Sequence, residues 1–112
     1  MQIFQENINS IVVIRIEGDI DLYSAPELRQ KFEDAVLSGN KKIIVNMEKV
    51  SYLDSSGIGV IIFGLTFIQK SHGELVLVKI NNSVLKLFDL SKITTFFNIY
   101  STEEEALDSL KN

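Results

Sequence analysis

Cysteine is absent from this chain of 112 residues, proline and histidine occur once each, and no basic cluster exceeds the pair Lys41-Lys42. Without cysteine there is no disulfide framework, no thiolate metal site and no thiol nucleophile. That fits a reducing compartment, and a cytoplasmic location is expected. With 11 basic residues against 15 acidic ones the formal charge is −4, which disfavours direct binding to nucleic acid. The first residues, Met1-Gln2-Ile3-Phe4-Gln5-Glu6, lack the basic start and apolar stretch of a secretory signal. The longest apolar run, Gly57 to Ile68, holds 12 residues, short of the ~18 that a membrane span needs. The chain is therefore expected not to be membrane-embedded.

What is present reads as one α/β domain over residues 1–112, with 46% apolar and 23% charged residues. Ile11 to Glu17 is rich in β-branched residues and predicts a strand, and Glu6 to Ser10 suggests a turn from a first short strand. Ser24 with Glu27 forms a capping-box pattern. Pro26 falls in the first turn, where its missing N–H is harmless, and the helix should end near Gly39. Its apolar positions Leu28, Phe32, Ala35 and Val36 share one face. Ile43 to Met47 and Leu75 to Ile80 read as strands covered on both faces. The helix-length segment between them implies a right-handed parallel crossover. Asn82-Ser83 should cap a helix through Leu90, and Phe96 to Tyr100 should form a last short strand. Ser101 with Glu104 should cap a terminal helix carrying Ala106, Leu107 and Leu110. The sum is a mixed, largely parallel sheet of four to five strands with about four helices.

Three places could carry chemistry. The turn Asp54-Ser55-Ser56-Gly57 opens the central helix, where backbone N–H groups are unpaired and the dipole is positive. Capping by Asp54 or Ser55 accounts for it locally. If Asp54 caps, however, the Ser55 hydroxyl is left over. A nucleophile elbow would need glycine where Leu53 stands. The sole histidine, His72, lies beyond the far end of the helix that Ser55 begins, ~15 residues or more than ~20 Å away, so it cannot serve as a base. Gly57-Ile58-Gly59 lacks the third glycine of a dinucleotide fingerprint, because Ile62 occupies that place, and no phosphate-loop ending follows. The second place is Gly18-Asp19-Ile20-Asp21, whose acids either bond nearby N–H groups or, with Asp54, make a receiver-like metal site. The lysine expected of a receiver is missing from Phe96 to Tyr100. The third is the helix itself, apolar nearly all round, covered either by neighbouring helices or by a partner.

Gly18-Asp19-Ile20-Asp21, Val50 through Val60 with its Asp-Ser-Ser-Gly-Ile-Gly core, and Leu85-Lys86-Leu87-Phe88-Asp89-Leu90-Ser91 together resemble the STAS domain of bacterial anti-sigma factor antagonists. The order and spacing agree across nearly the whole chain. The resemblance implies a single STAS-like domain with no cofactor and no enzymatic activity of its own. It implies that Ser55 is phosphorylated by a partner anti-sigma factor, a serine kinase, and that a metal-dependent serine phosphatase resets it. Unphosphorylated, such a protein binds the anti-sigma factor and frees the sigma factor; phosphorylated, it lets go. The implied partner surface comprises Asp21, Asp54, Ser55, Ser56, Gly57 and Ile58, with Ser56 in a structural role and the chain a monomer or weak homodimer. The same resemblance also allows a stand-alone STAS subunit of a lipid transporter or a signalling assembly. From a different class, a receiver-like or nucleotide-binding domain remains the alternative.

Overall fold

β-Branched residues are concentrated in β2 of a five-stranded sheet whose order is β1-β2-β3-β4-β5, so that every strand lies beside its sequence neighbour. The computed structural model describes residues 1–111. Strands β1 (Gln2–Ile8) and β2 (Ile11–Glu17) form an antiparallel hairpin. Its two-residue loop, Asn9 and Ser10, has φ of 50° and 68°, the left-handed pair that a type I′ turn requires. Strands β3 (Lys42–Lys49), β4 (Glu74–Val78) and β5 (Asn98–Tyr100) then add in parallel. The crossovers are α1 (Ala25–Leu37), α2 (Ser55–Lys70) and α3 (Asn82–Leu90), with α4 (Glu103–Ser109) closing the chain. The expected mixed, largely parallel architecture is the observed one.

The alternation of side chains along the strands sorts them into two cores. Val12, Ile14 and Ile16 of β2, Ile43, Val45 and Met47 of β3 and Leu75 and Leu77 of β4 pack with Leu28, Phe32, Val60, Ile61, Val84 and Phe88 of the three long helices. The opposite face carries Ile11, Val13, Ile44, Val76 and Val78, and it is covered by Ala106 and Leu110 at the α4 end of the chain. Three helices thus sit on one face and one short helix on the other.

Several boundaries differ from the sequence expectation, each for a local reason. Glu6 to Ile8 belongs to β1, paired as far as Ile8↔Ile11, because only the two left-handed residues are needed to reverse the chain. Strand β4 stops at Val78, since Lys79 turns into the left-handed region at φ 57°. Thr94–Phe96 winds into a 3₁₀ turn, leaving β5 only three residues. The caps of α3 and α4 are Asn81, which accepts from the Val84 N–H, and Thr102, which accepts from the Glu105 N–H. Each lies one residue from the expected cap, at the last residue with extended backbone. Ser24 does not cap α1: its own backbone is already helical, so its hydroxyl makes no forward cap bond.

The back face is pinned by one polar cluster. Arg15 of β2 donates from Nε and Nη2 to the two carboxylate oxygens of Glu103 at 2.9 and 2.8 Å, and from Nη1 to Glu6 at 2.8 Å. Asn46 of β3 donates to the same Glu103 at 2.6 Å. Glu103 is the first residue of α4, where the helix dipole adds to the attraction. The guanidinium bonds hold the Glu103 carboxyl below the usual carboxylate range, outweighing the opposing effect of partial burial. A depressed folded-state pKa contributes stability that is present above the unfolded value and is lost as pH falls through the folded one. At neutral pH, Glu103→Gln should lower unfolding stability by about 2 kcal/mol. The gap to wild type should narrow as pH drops below the ordinary carboxylate range. Urea midpoints measured against pH check both, and a constant gap would exclude this linkage.

Candidate functional site at the mouth of α2

Two loops leave the C-terminal ends of the neighbouring strands β2 and β3 and are laced together. The loop after β2 and the loop after β3 meet in a parallel bridge between Ile20 and Leu53. The Ile20 N–H donates to the Tyr52 carbonyl at 3.2 Å, and the Asp54 N–H donates to the Ile20 carbonyl at 3.2 Å. This pairing extends the sheet just beyond its regular strands and sets Asp21 and Asp54 on adjoining loops. The two sequence segments singled out separately are thus one structural unit.

Asp54 is the N-cap of α2, and its backbone is extended. One carboxylate oxygen, Oδ1, accepts from the Gly57 N–H at 3.0 Å, closing the first turn of the helix. The other, Oδ2, accepts from the Leu22 N–H at 3.1 Å on the neighbouring loop. A single side chain therefore caps the helix and fastens the loop carrying Asp21. Asp21 is engaged within its own turn. Its Oδ1 accepts from the N–H groups of Tyr23 and Ser24 at 3.0 and 2.9 Å, while the Ser24 hydroxyl accepts from the Asp21 N–H at 2.9 Å. Those bonds, chiefly with Ser24, hold the Asp21 carboxyl below its ordinary pKa, so it is ionised at neutral pH. The Ser24 that looked like a helix cap is instead the partner of Asp21.

Ser55 is the first residue of α2 and is exposed, and its hydroxyl has no hydrogen-bond partner among the described residues. Ser56 and Ile58 are half-buried. Gly57 takes a different part from the surface position expected of it. It is buried, and a Cβ there would lie 2.3 Å from the Ile20 carbonyl oxygen and 2.7 Å from the Leu53 Cβ. Glycine at this position lets the helix lie against the lacing of the two loops.

Three residues at this mouth had no signal in the sequence. Leu22, Tyr23 and Tyr52 are 63%, 90% and 51% exposed. All three lie on the laced loops, where no hydrophobic period exists to separate an inward residue from an outward one. The apolar helix beyond is shared between the two readings offered for it. Val60, Ile61, Leu65 and Ile68 are buried, whereas Ile58, Ile62, Phe63 and Phe67 are only partly covered. Arg29 of α1 lies over the Phe63 ring at 3.9 Å, and Phe63 stacks on Phe67 at 5.1 Å between centroids.

His72 lies exposed past the C-terminal end of α2, remote from Ser55 along the helix. Among the described residues no group of three or more His, Cys, Asp or Glu side chains is placed to hold a metal ion. The sheet order also differs from the 2-1-3-4-5 order of a receiver, in which β1 lies inside the sheet; here β1 is an antiparallel edge strand. No helix among the described residues is long and apolar enough to cross a membrane.

Residues 3–106 match the STAS domain. The chain belongs to the STAS-domain family. An anti-sigma-B factor antagonist of Bacillus subtilis is 33% identical over 100 residues, which cover 89% of this chain and 90% of the relative. The Bacillus cell fate determinant SpoIIAA, an anti-sigma factor antagonist, has solved structures in unphosphorylated and phosphorylated forms. Each is 28% identical to this chain with a TM-score of 0.77, and the alignments cover 97% and 98% of this chain and 97% and 100% of SpoIIAA. A candidate anti-sigma factor antagonist from Thermotoga maritima, at 23% identity, shares the STAS fold with a TM-score of 0.92 over 98% of this chain and 95% of its own.

Gly57→Ala should destabilise this STAS domain by about 1–3 kcal/mol, the usual range for overpacking, because the new methyl group meets backbone rather than a flexible side-chain end. A chemical-denaturation midpoint measures the loss. Amide exchange at Leu22 should accelerate as the Asp54 fastening loosens, and an unchanged Leu22 amide would mean that the lacing does not depend on Gly57.

Proposed function

We propose that this STAS domain is an anti-sigma factor antagonist that works as a binding switch, with Ser55 as phosphoacceptor. The observation that carries the reading is the Ser55 hydroxyl, exposed at the start of α2 and without a hydrogen-bond partner among the described residues, Asp54 having taken the capping role. The names of its relatives support it, and so does SpoIIAA, known in both unphosphorylated and phosphorylated forms. The partner is an anti-sigma factor serine kinase; unphosphorylated, this chain holds it and the sigma factor is freed. The γ-phosphoryl group passes from kinase-bound ATP to Ser55 Oγ, the hydroxyl proton leaves to a base on the kinase, and ADP remains there. A serine phosphatase hydrolyses the ester and restores the binding form. The protein acts by association in the cytoplasm, without catalysis, cofactor or direct contact with nucleic acid.

The charges at the mouth explain why so small a change suffices. Phosphate adds about −1.5 to −2 charges. The α2 dipole offsets part of this by ~0.3–1 kcal/mol, so the fold tolerates it. At an interface the same dianion, beside the Asp54 and Asp21 side chains, must be desolvated against a surface shaped for a neutral hydroxyl, at a cost of several kcal/mol. Since ~1.4 kcal/mol is tenfold in affinity, about 3 kcal/mol releases the partner about a hundredfold. Asp54, Ser55 and Ile58 form the contact surface with Asp21, while Ser56 and Gly57 support it from beneath.

Ser55→Ala should bind the kinase as wild type does and accept no phosphate. Ser55→Asp should bind more weakly by about tenfold to a hundredfold at unchanged thermal stability, since a surface substitution of this kind shifts stability by ~0.5 kcal/mol or less. Titration calorimetry against the kinase, with a melting curve for each variant, makes the comparison. Equal affinities for the two variants would overturn the switch.

A further inference from the structure

Of the six glycines in the chain, five are explained by the protein's own packing or backbone. Gly18 and Gly39 adopt φ of +104° and +94°. A Cβ on Gly57, Gly64 or Gly73 would fall 2.3, 2.7 or 2.6 Å from the Ile20 carbonyl, the Phe32 ring or the Lys41 carbonyl. Gly59 has no such reason. It lies inside α2, exposed, and apart from its chain neighbours and the adjoining helix backbone nothing comes within 4 Å of the place its Cβ would take. Alanine would suit the helix better there, because glycine gives up more backbone freedom on folding.

Its position relates it to Ser55. Residues four apart lie on one helix face, so the Gly59 backbone stands one turn, a rise of about 6 Å, beyond that of Ser55. An independent feature marks the same end of the molecule as a contact surface. Leu22 and Tyr23, 63% and 90% exposed, lie on the loop that Asp54 fastens to the helix mouth, and Ile58 beside Gly59 is only half-buried.

We infer that Gly59 is a specificity-determining position, a clearance that lets the phosphorylating partner descend onto the first two turns of α2. This rests on Ser55 being the acceptor. Phosphoryl transfer requires the attacking oxygen to come within about 3–3.5 Å of phosphorus in line, and a misplacement of about 1 Å is costly. The kinase main chain or a flat ring must therefore lie low over the helix beside Ser55. A side chain on the same face one turn away would hold it off. The missing side chain serves the partner's approach and not the protein's own packing.

Gly59→Ala and Gly59→Leu, with Ser55→Asp as control, test the idea against the anti-sigma factor kinase with ATP. Gly59→Ala should raise the melting temperature by ~2–5 °C and lower kcat/KM for phosphorylation about tenfold. Gly59→Leu should remain folded and lower kcat/KM about a hundredfold or more. If wild type is phosphorylated and Ser55→Asp is released, yet Gly59→Leu is phosphorylated within about twofold of wild type, the clearance is refuted while the Ser55 switch stands. A drop in melting temperature for Gly59→Ala would also refute it, by giving the glycine an internal role. A wild-type chain that the kinase neither binds nor phosphorylates removes the Ser55 reading itself.

Discussion

The arrangement at the Ser55 end of the molecule depends on one carboxylate. Asp54 accepts from Gly57 within its own helix and from Leu22 on the loop after β2, so it joins two chain segments 32 positions apart. Both donors are backbone N–H groups, at 3.0 and 3.1 Å, one on each segment. Around them, the Ile20 carbonyl accepts from the Asp54 N–H, and buried Gly57 lies against the same carbonyl. Each carboxylate oxygen of Asp54 is engaged by one backbone donor, so the side chain is fixed in place at the helix mouth. Its consequence is positional: it relieves Ser55 of the capping role and fastens the loop carrying Leu22 and Tyr23 to the helix mouth.

The rest of the fold explains why this end of the sheet can carry a modification without disturbing the core. Helix α2 is anchored by Val60, Ile61, Leu65 and Ile68, all beyond its first turn, and by Gly64 lying against the Phe32 ring. The first turn itself contributes only Gly57 to the buried set. On the back of the sheet, α4 is short and buries only Ala106 within its span, with Leu110 just after it. The bidentate Arg15–Glu103 pair and Asn46 supply the register that so little apolar area cannot.

Element types were readable wherever hydrophobic periodicity was strong. The runs Ile11–Glu17 and Ile43–Met47 appear as β2 and the heart of β3, and Leu28, Phe32, Ala35 and Val36 form the buried face of α1 as their spacing predicts. Ends were less readable, because a cap is chosen by backbone dihedral angle rather than residue type. Asn81 and Asn82, or Ser101 and Thr102, are chemically interchangeable as caps, and the extended residue next to the helix prevails in each pair. Ser24 shows the sharper limit. Serine three residues before glutamate signals a capping box, but an aspartate three residues earlier offers the serine backbone a better partner.

The chain by itself determined the α/β class, the family to which its Asp-Ser-Ser-Gly-Ile-Gly segment belongs, and the candidate role of Ser55, because these depend on local residue type and order. Only the tertiary structure decided how the loop carrying Asp21 is tied to Asp54, through the Leu22 N–H, that Gly57 lies beneath the surface while Gly59 lies upon it, and that Leu22, Tyr23 and Tyr52 face outward. Each of those depends on the lacing of two loops separated in the sequence, and on which space a neighbouring backbone already fills. Residue type carries no record of either.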